Sequence, residues 1–178
     1  VSVLGVKYTT AGDVAEKVMK HIVPSTIRIP LTSQPRLKGG QIDDLSAYRT
    51  KILGRWKDEI GETECLRLLF NYGSEIEEIL HLAKASVGGE QRGDTAKPDI
   101  LEGEIRFSIR REMAQKLSDV ILRRTGYGAI GPPSGSVLNK VSRRMADELG
   151  WSEDRRRQEI EGLKESYPPF LRGRMVNE

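Results

Sequence analysis

Between Pro98 and Thr125 the chain reads PDILEGEIRFSIRREMAQKLSDVILRRT, and a large apolar side chain recurs at every fourth position: Leu101, Ile105, Ile109, Met113, Leu117 and Ile121. That spacing belongs to a helix with one apolar face. Pro98 suits a first helical turn, where a missing N–H costs nothing. Asp99, Glu102 and Glu104 come early and Arg123 and Arg124 late, which complements the helix dipole. Gly126 and Gly128 then stop the element. A strict four-residue step drifts around a helix of about 3.6 residues per turn. A break is therefore expected near Arg111–Ala114, and the stretch predicts a central pair of core helices.

Other segments supply what that pair packs against. Asp43 or Asp44 opens a helix with Leu45, Tyr48, Ile52, Leu53 and Trp56 on one face, and Gly61 breaks it. Thr63–Phe70 carries Cys65, Leu66, Leu68, Leu69 and Phe70. Asn71-Tyr72-Gly73-Ser74 reads as a turn, and Ser74 with Glu77 as a capping box for a helix lined by Ile76, Ile79, Leu80 and Leu82. Val137, Leu138, Val141, Met145 and Leu149 mark a further helix closed by Gly150, and Ser152 caps a last one with Ile160, Leu163 and Tyr167. Val87–Lys97 and Gly126–Ser136 are loops, Pro24–Gln41 is a linker, and Phe170–Glu178 is a tail.

The chemical inventory is thin. Charged residues make up 31% of the 178, aromatic residues 6%, and the net charge is +3. Basic and acidic residues are interleaved, which argues against a nucleic-acid partner. The single cysteine, Cys65, excludes an internal disulfide and fits a small core residue. His21 and His81 have no Cys, Asp or Glu at metal-ligand spacing, so no metal site is expected. No run is long enough to span a membrane, and no signal peptide is expected.

The first residues differ in kind. Val1-Ser2-Val3-Leu4 reads as a strand entering a turn at Gly5. A helix follows to about His21, with Val14, Ala15, Val18, Met19 and Ile22 apolar, Thr9 or Thr10 as cap and Asp13 in its first turn. The best second strand, Thr26–Leu31, is demoted by Pro30. A lone strand leaves its ladder groups unmet, so these residues are expected to end a sheet whose other strands lie upstream. A strand, a Gly turn, a Lys and two hydroxyls at a helix N-terminus also make a plausible anion or cofactor site. From the pattern alone, an ordinary strand-to-helix connection is the favoured reading.

Several of these segments together resemble a known family. Gly5-Val6-Lys7-Tyr8-Thr9-Thr10 resembles the Gly-Gly-Lys-x-Thr-Thr segment late in the flavin domain of FAD-dependent glycerol-3-phosphate dehydrogenases. Asn71-Tyr72-Gly73-Ser74, followed by Glu77, resembles the Tyr-Gly-Ser turn of that family's C-terminal helical domain. Glu102, Glu104-Ile105 and Arg110, then Asp119 and Leu122-Arg123-Arg124-Thr125, are similar to its E-x-E … D-x-x-x-R-R-T helix pair. Leu37-Lys38-Gly39-Gly40 and Gly150-Trp151 fit in the same order. Two positions depart from the pattern: Val6 stands for the second Gly, and Gly12 where the family usually has Arg.

The resemblance implies a mainly α-helical, cap-type bundle with a short β-strand–helix fragment of a flavin-binding domain at its N-terminus. Residues 1–23 would end the FAD domain, 24–41 link, 42–170 form the helical C-terminal domain and 171–178 the tail. It implies FAD in the full-length protein, with Gly5, Val6, Lys7, Tyr8, Thr9 and Thr10 at the cofactor and Lys7 as the catalytic cation. The implied reaction is oxidation of glycerol 3-phosphate to dihydroxyacetone phosphate, with electrons passing to a quinone or another acceptor. The fragment alone would be inactive and carry no FAD. Its partner would be the N-terminal FAD and substrate domain of the same protein, in a cytoplasmic enzyme. Peripheral attachment to the inner face of the membrane and a homodimer stay open. A stand-alone helical interaction domain and a helix-turn-helix nucleic-acid binder are the alternatives.

Overall fold

The computed structural model describes residues 10–23, 37–85 and 97–172. The chain divides into two compact units, Val1–Arg36 and Leu37–Glu178. The expected strand Val1–Leu4, the segment Thr26–Leu31, most of the linker and of the loop Val87–Lys97, and Gly173–Glu178 lie outside the described residues. Every element among the described residues is helical.

In the first unit, α1 (Ala11–Ile22) has Asp13 in its first turn and Lys20 and His21 in its last, as its dipole favours. Asp13 pairs with Lys17 at 2.9 Å, one turn on. Thr10 occupies the N-cap position without a side-chain cap bond, which corrects its expected role as cap.

The second unit opens with α2 (Leu45–Ile60), capped by Asp44, whose side chain accepts from the Ala47 N–H. Gly61, at φ +85°, ends α2 and starts α3 (Glu62–Tyr72). A 3-10 turn, Gly73–Glu75, leads into α4 (Ile76–Ala85). The expected capping box is therefore absent. The Ser74 N–H donates to the Gly39 carbonyl at 2.9 Å, and Glu77 instead faces Lys51 at 3.0 Å.

The stretch around Glu104 is central, as its pattern requires. Helix α5 (Ile100–Glu112) is capped by Asp99 and packs between α4 and α6 (Gly135–Leu149). It serves two cores. Phe107 joins Ile52, Cys65, Leu68, Ile76, Ile79 and Leu80 on the α2–α4 side. Ile105 joins Leu117, Ile121, Val141, Met145 and Leu163 on the side of α6 and α7 (Glu153–Glu165). Gly103 permits the α4–α5 approach, because a Cβ there would lie 2.6 Å from the Ile79 carbonyl oxygen.

The break falls where the period predicts it. Met113 takes a left-handed conformation at φ 57°, and its amide closes on the Ser108 carbonyl. The chain then resumes as a π-helical turn, Asp119–Arg124. Breaking the helix rotates the apolar series, so Met113 is 82% exposed while Leu117 and Ile121 are fully buried. Phe70, expected with the apolar face of α3, is also exposed, at 91%. Ser134 and Ser152 cap α6 and α7 through side-chain oxygens, and a short α8 (Pro169–Arg172) follows Pro168 in the expected tail. No helix among the described residues is long and apolar enough to cross a membrane.

Candidate functional site

Three of the buried polar side chains, Glu102, Glu104 and Ser108, lie on α5, where the two glutamates read in sequence as dipole partners and as the family-like E-x-E. Glu104 is fully buried. A lone carboxylate there would be prohibitively costly, so its surroundings must supply donors. Arg67, from α3, donates Nη1 to Oε1 at 2.9 Å and Nη2 to Oε2 at 3.0 Å, a bidentate pair. The Tyr72 hydroxyl donates to Oε1 at 2.8 Å, with the Arg124 carbonyl at 3.3 Å as its other acceptor. Tyr127 donates to Oε2 at 3.4 Å. Glu64 holds the far side of the Arg67 fork at 2.6 and 2.9 Å.

This arrangement sets protonation states. Burial, followed by the negative charge of Glu104, pushes the Tyr72 phenol well up, and Tyr127 is pushed up to about 12 for the same two reasons. Both remain neutral donors at ordinary pH. The bonds from Glu64 and Glu104 outweigh burial and hold Arg67 firmly charged. The cluster is a closed set of charges and donors rather than a free acid or base.

Above it lies a cleft of about 380 Å³ lined by Asn71, Tyr72, Glu112, Arg123, Arg124 and Thr125. The π-helical turn sets both arginines there. Asp119 holds the turn, accepting from the N–H groups of Gln115 and Lys116 at 3.0 and 2.9 Å and from Arg123 at 2.5 Å. Burial works against that carboxylate, but these donors outweigh it and keep its pKa below the usual range. Arg124 donates to the Glu112 carbonyl at 3.1 Å, while its Nε stands 4.0 Å from the Glu112 carboxylate. Burial pushes Glu112 up, and Glu75 adds to the rise against the pull of Arg124.

The same place fastens the start of the second unit. Gly39 (φ +79°) and Gly73 (φ +56°) lie backbone to backbone, and a Cβ on Gly73 would fall 1.9 Å from the Gly39 oxygen. Only glycine fits both the space and the dihedral. The segments Leu37–Gly40 and Asn71–Ser74, Glu104 and the segment Arg123–Thr125, far apart in sequence, thus converge on one junction. The other face of α5 is fixed separately. Glu102 pairs with Arg144 and, at 3.1 Å, with Arg106, while Glu148 takes Arg110 at 2.8 Å.

Of the sequence-predicted site residues, Gly5, Val6, Lys7, Tyr8 and Thr9 lie outside the described residues, and only Thr10 is described, at the start of α1. Sequence reasoning missed Arg67 and Tyr127 altogether. The available signal was Glu64 three residues before Arg67, together with Glu104 directly beside the core position Ile105. Arg155, Arg156 and Arg157 are paired with Glu159, Glu153 and Asp154, so the basic triplet is neutralised; Arg155 and Arg157 are exposed, while Arg156 packs on α6 and donates to the Ser142 hydroxyl at 3.0 Å. No group of three or more potential metal ligands occurs among the described residues.

Residues 30–156 match the family described as the C-terminal domain of alpha-glycerophosphate oxidase. The chain is also 25% identical over 170 residues to a glycerol-3-phosphate dehydrogenase of Synechocystis sp.. That similarity covers 93% of this chain but 30% of the relative, so the chain spans less than a third of the relative's length. No solved structure matches.

Proposed function

The chain belongs to the family of the C-terminal domain of alpha-glycerophosphate oxidase, and on that premise we propose that it is the C-terminal part of an FAD-dependent glycerol-3-phosphate dehydrogenase. In this reading residues 1–23 end the flavin domain, 24–41 link, 42–170 form the helical domain, and 171–178 are a tail. The full-length enzyme oxidises glycerol 3-phosphate to dihydroxyacetone phosphate and passes electrons to a quinone or another acceptor. The observation that carries the reading is the junction itself. The family-like segments at Gly39, Tyr72-Gly73-Ser74, Glu104 and Arg124 support one another through direct contacts.

The helical domain acts as a support rather than as a catalyst. Glu104 accepts from four donor groups, which leaves it no capacity to abstract a proton. Catalysis is assigned to the flavin domain, where bound FAD supplies two-electron oxidation. Lys7 provides a cation at the cofactor, and Gly5, Val6, Tyr8, Thr9 and Thr10 complete that edge. Thr10 stands at the N-terminus of a twelve-residue helix, an arrangement suited to an electron-rich group. The test is purification of the full-length protein and titration with glycerol 3-phosphate under anaerobic conditions. Bleaching of the oxidised-flavin absorbance is expected. A protein that carries no flavin, or a flavin that the substrate does not reduce, defeats the reading.

A further inference from the structure

The cleft above the buried cluster is built by an unusual winding of the chain. The turn Asp119–Arg124 is π-helical, and the Thr125 N–H closes it on the Val120 carbonyl, five residues back, at 3.0 Å. Such turns are rare and gather at functional sites. This one sets two consecutive residues, Arg123 and Arg124, along one cleft of about 380 Å³. Neither guanidinium is spent. Arg123 gives Nη1 to Asp119, and Arg124 gives Nη2 to the Glu112 carbonyl. Each fork keeps further N–H groups without a hydrogen-bond acceptor among the described residues. Asn71 also lines the cleft, and its side chain forms no hydrogen bond among the described residues. Tyr72 and Thr125, by contrast, commit their hydroxyls to Glu104 and to the Val120 carbonyl.

One acid stands among these donors. Glu112 lines the same cleft with its side chain 28% exposed, and its Oε2 accepts no hydrogen bond. Arg124 Nε is 4.0 Å away, beyond hydrogen-bond reach. Burial and the neighbouring Glu75 both disfavour the Glu112 charge. Spare N–H donors beside a carboxylate that lacks a donor fit an anion that carries its own proton. An oxyanion without one would bring its charge against Glu112 and offer it no hydrogen bond. Hydrogen phosphate meets both demands. Its bare oxygens accept from the arginines and the amide, and its P–OH donates to the carboxylate. We propose that this cleft binds inorganic phosphate in its hydrogen phosphate form, with Arg123, Arg124 and Asn71 as donors and Glu112 as the acceptor that requires the proton. A phosphate monoester loses its last proton with a pKa of about 6 and carries no P–OH above neutrality. Sulfate carries no proton either, so the site separates free phosphate from both. The proposal is independent of the dehydrogenase reading, because every residue in it belongs to the helical unit.

The test is hydrogen exchange on the full-length protein, read peptide by peptide by mass spectrometry in mildly alkaline buffer. Inorganic phosphate, methyl phosphate and sulfate are compared at equal ionic strength. A local readout separates this cleft from phosphate bound anywhere else. Phosphate should slow exchange across Asp119–Gly126 by about threefold or more. Methyl phosphate and sulfate should leave it unchanged. Arg124→Gln should raise the phosphate concentration needed by about tenfold, the worth of a charge-assisted bond. Asn71→Ala removes no bond within the fold and should also weaken the effect, so the prediction holds even if the arginine variant folds poorly. Glu112→Gln replaces the demanding acceptor with an amide that can donate, and sulfate and methyl phosphate should then protect as phosphate does. Equal protection by phosphate and sulfate in the wild type overturns the proposal. So does the absence of protection by phosphate, or a phosphate effect that Asn71→Ala and Glu112→Gln leave unaltered.

Discussion

Glu104→Gln is the sharpest perturbation of the junction, because it keeps shape and volume and removes only charge and acceptor capacity. The carboxylate accepts from Arg67 twice, from Tyr72 and from Tyr127. A glutamine has a single carbonyl oxygen, and its NH₂ group points donors at donors. At least two of the four bonds are lost, one of them charge-assisted. Bonds to charged groups are worth roughly 1.5–3 kcal/mol each and neutral ones about 1. Breaking a buried ion pair on one side costs about 3–5 kcal/mol. Arg67 keeps Glu64, so the lower half of that range applies, about 3–4 kcal/mol. For a protein of this size that is a fall in Tm of roughly 6–16 °C. Urea and thermal unfolding followed by circular dichroism measure it. The double variant Arg67→Met with Glu104→Gln should lose about 2 kcal/mol less than the sum of the single losses, since each leaves the other's partner stranded. A loss below about 1 kcal/mol, or strict additivity, would refute the view that this carboxylate holds the junction together.

Gly73→Ala forces a methyl group into the Gly39 carbonyl and should cost about 2–4 kcal/mol from overpacking and the positive φ together. Trypsin should then cut faster at Lys38 while α5 stays protected from hydrogen exchange. Glu112, whose pKa burial raises from an ordinary 4.5, lends stability that is complete below that value and is lost as pH rises through its folded value. Glu112→Gln should therefore raise Tm near neutrality and lose that advantage in acid, and an unchanged difference across pH would contradict the assignment. Asp119 has the opposite sign: its pKa lies below an ordinary 3.8, so its contribution is present above that value and fades as pH falls through the folded one. Asp119→Asn should lower Tm near neutrality and converge on wild type in strong acid. In the full-length enzyme, Lys7→Ala should leave folding nearly intact, because in this reading its ammonium serves the cofactor rather than the fold. It should also lower turnover by an amount corresponding to roughly 3–4 kcal/mol of barrier if Lys7 is the main cation at the flavin; unchanged steady-state kinetics would take Lys7 out of the site.

Much of the fold was legible because helices announce themselves locally. The caps at Asp44 and Ser152 and the stop at Gly150 depend on groups within a few residues of one another, and all were formed by neighbours in the chain; the caps at Asp99 and Ser134 were not read from the sequence. The drift of a four-residue apolar step against the helical repeat located the break at Met113. Periodicity also identified Ile105, Leu117, Cys65 and Leu163 as core. It could not say that Phe70 faces water, since α3 spends its apolar sides unequally and only the packing of α2 and α4 decides which side is covered.

The junction was hidden for a different reason. Glu104 looks like any acid early in a helix, and burial becomes tolerable only because Arg67, Tyr72 and Tyr127 arrive from up to 37 residues away. Gly39 and Gly73 are each ordinary turn glycines in sequence, and their mutual requirement exists only once two backbones touch. The sequence by itself determined where helices begin, end and break, through interactions among neighbours. Which acid is buried, which arginine answers it and which apolar side chains remain open to solvent were decided by the tertiary structure, because desolvation and steric contact depend on what lies across space rather than along the chain.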